Sequence, residues 1–559
     1  MKKSRDGIEG AGTTKLVYLL LIALIFYSAL FFFSDEVISP DDLIFSFFSG
    51  HLAETGRLGY HPPGDELFGE EGFIPRYFVY GQGGLVYPRK FPGFIIFWAG
   101  LKRILPPEAA RLVNPLCAVL SLLLIYLIGR EVFPGGKTAI RAAVFLAVTP
   151  VFIRRAYAYN PTLFNLALFL AALYFLLRGL RRGWWWEYLL FGLLAGALLW
   201  TRPTNIVYLA SFFIFFFIER RRVDGRYLAA ALVVIALCGL GLLFFNRSVY
   251  GGYFQLGYTA THLQEAAASA ETAPSGIAGI LDYLKFHPQI WLLHLKDTPG
   301  ALLLGFPLLI LALLGFILPR PRPPLAEEGE DEAGPAPAPP PRFNLYYFWL
   351  FALSLVFFSN FGTYGHEKNE FTLHSSFLRY LVPAICLLPL FAARALERVR
   401  IPARRLMGGL AGFSLLVALL APAGMIETAL QSCYYREAGK FLLDATDGRT
   451  VFFTHYWDKA VFPERMIYTL GTHFPPEGVG GVIRKVERSG YRAAYPVHPA
   501  DGEIGDFIRE NYRVEVIEGP ERLSPLSRLA ARFIPADLYP VRLLLVRGEK
   551  PPAGEGPPL

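Results

Sequence analysis

Charge is scarce in this sequence. Only 18% of its 559 residues are Asp, Glu, Lys or Arg, whereas soluble domains carry about a quarter. An ordinary chain of several soluble domains is therefore excluded for most of the length. Cysteine is scarcer still, with four residues. Cys117, Cys238 and Cys386 fall inside apolar stretches, and Cys433 stands alone after the last one. That excludes a disulfide framework and a cysteine metal site. No internal repeat appears, and the two largest polar loops, 34–108 and 247–298, do not resemble each other, which weakens an inverted-repeat transporter reading. The Gly478–Gly481 run lacks the spacing of a dinucleotide fingerprint and has no strand expected before it. His366-Glu367-Lys368-Asn369-Glu370 lacks the second His, four residues on, that a zinc protease motif needs; His374 comes too late.

What the chain has in place of charge is apolar length. It is 53% hydrophobic with a mean hydropathy of +0.38, and the excess sits in blocks of about 18–21 residues. A helix needs ~20 residues to cross ~30 Å of hydrocarbon. The blocks predict about eleven spans: 15–33, 109–129, 138–153, 161–178, 186–201, 203–219, 227–246, 299–318, 343–360, 377–395 and 406–424. A formal charge of +8 would suit nucleic acid, but the basic residues cluster in short loops, which is a topology signal instead. Lys2, Lys3 and Arg5; Arg130, Lys137 and Arg141; Arg178, Arg181 and Arg182; Arg220, Arg221, Arg222 and Arg226; Arg320 and Arg322; and Arg394, Arg398, Arg400, Arg404 and Arg405 all share one side if the spans alternate. The expectation is a multi-pass protein of the plasma or inner membrane, its N-terminus cytoplasmic and its C-terminal region extracytoplasmic. The first block runs too long and ends Phe-Phe-Phe-Ser-Asp, so it reads as an uncleaved span, not a signal peptide.

Residues 1–425 therefore form a transmembrane domain. Within it, 34–108 is a long first extracytoplasmic loop, and 321–342, rich in Pro, Glu and Ala, is a disordered cytoplasmic linker. Residues 430–559 alternate helix and strand patterns. Strands are expected at Thr450–Thr454, Arg492–Val497, Val514–Ile517 and Val541–Val546, and helices near Glu437–Ala445, Val482–Arg488 and Ile504–Asn511. The fold class is a polytopic α-helical membrane protein with a C-terminal extracytoplasmic α/β domain, read as accessory.

Candidate chemistry lies near one membrane face. Ser39-Pro40-Asp41-Asp42 reads as a helix start, with Ser39 as cap and Asp42 completing a capping box. It also places carboxylates at the membrane surface, where one can act as a base. Tyr87-Pro88-Arg89-Lys90-Phe91-Pro92-Gly93 is a basic turn before an apolar segment, and its cations suit a phosphate at headgroup depth. Arg154, Arg155, Arg202 and Arg379 break the positive-inside pattern. Snorkelling explains each one alone; an anionic ligand explains the set. The 366–374 loop reads as solvated or acceptor-facing. Asn246-Arg247-Ser248 is a glycosylation sequon that abuts the membrane, a pattern common by chance.

The order of these parts resembles the membrane-embedded glycosyltransferases of the C-type fold, in particular the protein-mannosyltransferase-like and lipid A aminoarabinose-transferase-like group. The resemblance rests on Asp41-Asp42-Leu43-Ile44-Phe45, Lys90-Phe91-Pro92-Gly93, Ala110-Arg111-Leu112-Val113-Asn114, Thr149-Pro150, Trp200-Thr201-Arg202-Pro203-Thr204 and Arg379-Tyr380-Leu381-Val382-Pro383. It covers residues 15 to about 425. The chain departs from the group at Phe91, where a Pro is usual, at Asn160, where an acid is frequent, and in its Asp-Asp pair, where Asp-Glu is commoner. The resemblance implies a polyprenyl-phosphate-linked sugar donor and a lipid, glycan or protein acceptor, with membrane lipids around and no nucleic acid. It implies Asp41 or Asp42 as base, Asp41 favoured because the capping box occupies Asp42. Lys90, Arg202 and Arg379 are the implied phosphate ligands, with Arg154 and Arg155 behind them. No cofactor is implied outright, and a divalent metal stays open. The competing readings are a transporter or flippase of a lipid-linked or anionic substrate, and a non-catalytic assembly protein.

Overall fold

A computed structural model describes residues 2–33, 39–68, 72–106, 109, 112–133, 136–158, 160–257, 288–318, 342–359, 372–373, 375–398, 403–454, 457–470, 476–497, 502–519, 524–530 and 542–550. The expected 321–342 linker, apart from Arg342, lies outside these residues. So do His366, Glu367, Glu370 and His374.

Each apolar block is helical where it is described, and together they make a multi-pass membrane protein. Among the described residues, five helices qualify as spans by length and apolarity alone: Thr13–Phe32, Val113–Val132, Thr162–Arg182, Gly225–Tyr250 and Arg405–Asp444. Two more blocks are bent pairs. The 299–318 block breaks by 100° between Leu295–Gly305 and Leu309–Ile317, and the 377–395 block by 52° between Ser376–Ile385 and Leu388–Leu396. Pro307 lies in the first break and Pro389 just beyond the second; proline lacks the amide that would carry a helix through. The 138–153 block is likewise two helices, Gly136–Ala147 and Pro150–Ala156, because Pro150 forces Thr149 into an extended conformation (φ −69°, ψ 122°). The blocks at 203–218 and 343–359 are shorter apolar helices.

Small residues let the helices approach. Gly192 and Gly196, four apart on Trp185–Thr201, face the Gly225–Tyr250 helix so closely that a Cβ would lie 2.7 Å from the Ala231 carbonyl oxygen or 2.6 Å from the Cys238 sulfur. On the other side of Gly225–Tyr250, Val233, Leu237, Leu240 and Phe244 are exposed at helical spacing. Such a stripe suits hydrocarbon, not water.

Outside the helical bundle, the first loop contributes α2 (Pro40–Thr55), α3 (Pro63–Phe68), the antiparallel pair β1 (Phe78–Tyr80) and β2 (Val86–Pro88), and α4 (Pro92–Ile104); α1 is Lys2–Phe33. The C-terminal region forms a five-stranded sheet. Its strands are β3 (Thr450–Thr454), β4 (Met466–Thr469), β5 (Arg492–Val497), β6 (Tyr512–Glu518) and β7 (Arg542–Glu549), in the order β4-β3-β5-β7-β6. β3 pairs parallel with β4 and β5, while β7 pairs antiparallel with β5 and β6. β4 does precede Gly478–Gly481, contrary to the sequence expectation. The glycines nonetheless lie inside the Pro476–Arg488 helix and form no phosphate loop. The expected helix near Glu437 is the end of a longer one, Met425–Asp444.

The sheet and the first loop share a core. Phe68 and Phe73 are buried with Tyr468, Val451 and Tyr495, and Phe462 packs on Phe47 and Phe78 with ring centroids 4.9 and 5.6 Å away. The fully buried Asp458 accepts from the Arg76 amide at 2.9 Å.

Candidate active site

The start of α2 divides its two acids. Ser39 Oγ accepts from the Asp42 amide and Asp42 Oδ2 accepts from the Ser39 amide, both at 3.2 Å, closing the capping box. Asp42 is thereby turned back on its own helix and buried. Burial, reinforced by the Asp41 charge, pushes its carboxyl up to about 6 against the pull of Ser39 and Arg154. Asp41 faces the other way. Its Oδ1 lies 2.8 Å from Lys90 Nζ and its Oδ2 3.1 Å from Arg379 Nη1. Burial alone would raise this carboxyl; Lys90, Arg379 and Arg202 outweigh burial and hold it well below the usual carboxylate range.

Lys90 lies in the turn between β2 and α4, just before the start of α4. Lys90 meets Asp41 at one end of the α2–α4 pair. At the other end Lys102 donates to the Ser46 carbonyl (3.0 Å) and Ser49 Oγ (2.8 Å), and Arg103 to the carbonyls of Ala53 and Leu52 (both 3.0 Å). The two helices therefore run parallel, with both positive N-terminal ends toward Asp41 and Lys90. Arg103 thereby ties the C-terminal end of α4 to the last turn of α2, where the Leu52 carbonyl also accepts from the Gly56 amide. Ahead of Lys90, the guanidinium of Arg76, that of Arg89 and the Lys90 ammonium lie 4.6, 4.9 and 5.5 Å from the Tyr77 ring centre. Tyr77 holds this position with a left-handed backbone, φ 70°, an uncommon state for a bulky residue and one seen at functional sites.

Gly93 joins α4 to the next wall. A Cβ there would lie 2.7 Å from the backbone of Trp200 and 2.9 Å from the Thr201 nitrogen. The Thr201-Arg202-Pro203 turn it touches is held by a buried amide clasp. Asn165 Nδ2 donates to Asn205 Oδ1 at 3.1 Å, and Asn205 Nδ2 returns to Asn165 Oδ1 at 2.6 Å. Thr201 Oγ1 donates to Asn165 Oδ1 at 2.7 Å, and Arg202 Nη2 to Thr162 Oγ1 at 3.3 Å. Asn160 Oδ1 accepts from the Thr162 amide at 3.1 Å.

Arg379 comes from the Ser376–Ile385 helix, which Ser375 caps by accepting from the Leu378 amide. Its Nη2 donates to Ser376 Oγ at 3.2 Å. The guanidinium carbons of Arg202 and Arg379 lie 5.1 and 5.5 Å from the Tyr380 ring centre. The result is a cleft of about 300 Å³ lined by Asp41, Lys90, Arg202 and Arg379, with Phe45, Phe91, Pro161, Thr201 and Tyr380 completing the walls.

The other two predicted cations are placed differently. Arg155 is fully buried, and its Nη2 donates to the carbonyls of Leu373 (3.0 Å) and Ser375 (3.3 Å), the turn that launches the Arg379 helix. Arg154 is buried over the Tyr157 ring, 5.1 Å from its centre. Neither lines the cleft. The Asn246 side chain is buried and donates to the Tyr253 carbonyl, so the sequon is occupied by a structural bond. Among the described residues, no group of three or more His, Cys, Asp and Glu side chains could hold a metal ion.

Residues 106–243 match the sequence model of a family described as dolichyl-phosphate-mannose-protein mannosyltransferase. This segment holds Arg154, Arg155 and Arg202; Asp41 and Lys90 precede it and Arg379 follows it. No curated protein matches the chain by sequence. Among solved structures, ArnT from Cupriavidus metallidurans bound to undecaprenyl phosphate superposes with a TM-score of 0.54 at 12% identity, over 98% of this chain and 100% of that one. The apo form of the same protein gives 0.53 at 13% identity, over 96% and 98%. This chain has the C-type glycosyltransferase fold. The resemblance drawn from motif order holds at that level. Within the C-type fold, the clasp residues Asn165 and Asn205 and the aromatic wall of Phe45, Phe91 and Tyr380 went unassigned in the sequence. Asparagine inside an apolar helix was the available signal for the clasp; no local signal marks which face of Tyr380 meets two guanidinium groups.

Proposed function

We propose that this protein is a membrane glycosyltransferase that moves a sugar from a polyprenyl-phosphate carrier to a lipid, glycan or protein acceptor on the extracytoplasmic face. The observation that carries the reading is the cleft itself, where one carboxylate sits among three cations at the ends of two parallel helices. The undecaprenyl phosphate bound to ArnT, which shares the fold, supports the carrier class.

In this reading the acceptor hydroxyl oxygen attacks the anomeric carbon. The bond from that carbon to the phosphate oxygen breaks, and its electron pair leaves with the phosphate. The hydroxyl proton goes to the carboxylate of Asp41. General-base help of this kind is worth roughly 10²–10⁴-fold. Lys90, Arg202 and Arg379 stabilise the charge that grows on the leaving phosphate. Arg155 supports Arg379 through the turn at 373–375, and Arg154 offsets the buried Asp42.

The topology that suits this chemistry has eleven crossings, with the basic loops in the cytoplasm and both the cleft and the five-stranded sheet outside. The test is transfer of radiolabel from a polyprenyl-phosphate sugar in membranes that contain the protein. Label appearing in a glycosylated product in wild-type membranes, but not in those of a deletion strain, is the expected result. Translocation of intact lipid-linked sugar with no new glycosidic bond would establish a flippase and overturn the reading.

A further inference from the structure

Asp41 is paired through both oxygens, one to Lys90 and one to Arg379, and its side chain is only 16% exposed. A carboxylate so engaged is a poor proton acceptor, because accepting a proton costs two ion pairs. The same two cations are those that face the cleft a phosphate would enter. Arg379 has limited freedom, since its second nitrogen is held on Ser376 Oγ. Lys90 carries its ammonium on a flexible stem with three donors. Arg202, the third cation of the cleft, donates to Thr162 and adds to the positive field around Asp41. The resting cleft is thus a lock in which the carboxylate occupies the seat of an anionic ligand.

Resting on the transferase reading above, we infer that the carrier's phosphate and Asp41 compete for Lys90 and Arg379, so that arrival of the donor releases Asp41 to act as base. The exchange orders the reaction. Without donor the base is neutralised, and an acceptor or water meeting the cleft is not activated. With donor bound, Lys90 Nζ and Arg379 Nη1 turn to phosphate oxygens and Asp41 is left with spare lone pairs facing the cleft. After transfer Asp41 carries the acceptor's proton. Loss of that proton restores an anion that competes with the carrier phosphate and favours its exit.

The inference has a sign that a merely structural carboxylate would not give. Removing a competitor tightens binding; removing a strut loosens it. Binding of undecaprenyl phosphate alone is measured on the purified full chain in lipid nanodiscs. Asp41→Asn is expected to bind at least fivefold more tightly than wild type while losing transfer. Lys90→Gln is expected to bind more weakly, and the gain from Asp41→Asn should shrink in the Lys90→Gln background, because one of the two contested cations is gone. Asp41→Ser reads the same quantity should the Asn variant fail to fold. Equal or weaker binding by both Asp41 variants, with wild type binding well, overturns the exchange and leaves the transferase reading in place. No binding by wild type or any variant overturns the transferase reading itself.

Discussion

Asp42 is an acid whose folded environment disfavours its charge, and that has a measurable sign. Its carboxyl is pushed up to about 6 by burial, from an ordinary value near 3.8. Between those values the native state binds more protons than the unfolded chain, so this residue's contribution to stability falls as pH rises from about 4 to 6 and stays low above. Asn keeps an acceptor for the Ser39 amide and carries no charge. Asp42→Asn is therefore expected to melt no lower than wild type at pH 7 and to lose part of the stability gain that wild type shows between pH 7 and pH 5. A melting temperature several degrees lower at pH 7 would mean that the Asp42 charge is itself stabilising. The cations respond differently. Arg202→Ala and Arg379→Ala each remove a charge-assisted contact worth about 1.5–3 kcal/mol, so donor use should fall ~10- to 150-fold with expression intact. Wild-type kinetics in both would leave these arginines with a purely structural role, on Thr162 for Arg202 and on Asp41 and Ser376 for Arg379.

At the scale of elements, the cleft depends on two close approaches that carry no charge. Gly93 lets the start of α4 rest on the Trp200–Thr201 backbone, and the Asn165–Asn205 clasp fixes the turn that follows. Gly93→Ala forces α4 away from that turn and separates Lys90 from Arg202. A displacement near 1 Å costs on the order of a hundredfold in rate. The expected result is an inserted, folded protein with transfer lowered by roughly that factor; unchanged transfer would show that the two walls move together. This level was partly legible in the sequence. Ser39-Pro40-Asp41-Asp42 announced both the cap and the helix start, because N-cap chemistry is local. Arg202 and Arg379 stood out because cations at that membrane face break a topology rule, and Lys90 because it lies in a basic turn between prolines that suits a phosphate. Arg155 broke the same rule, yet it serves the backbone at 373–375, and sequence position alone cannot separate a ligand-facing cation from one that holds a turn. The broken helices at Pro150 and Pro307 were missed for a related reason: hydropathy reports burial in lipid and is blind to direction.

For the whole molecule, the first loop is clamped between the bundle and the five-stranded sheet. Phe462 lies against Phe47 of α2, six residues after Asp41, and Asp458 holds the Arg76 backbone. The sheet must then lie on the same side of the membrane as the cleft. Reporter fusions are expected to place 321–342 in the cytoplasm and 430–559 outside. A cytoplasmic tail would contradict the eleven-crossing order and separate the sheet from the extracytoplasmic chemistry proposed for the cleft.

The ion pair between Asp41 and Arg379 joins positions 338 residues apart. Ribosomes add ~5–20 residues per second, so roughly 17–70 s pass between the synthesis of the two ends. During that interval the nascent chain has Asp41 and Lys90 of the first loop but not the arginine that completes the cleft. The proposed site is thus complete only once the Ser376–Ile385 helix has been made, and a chain truncated before that helix is expected to be inert, whatever it has already inserted.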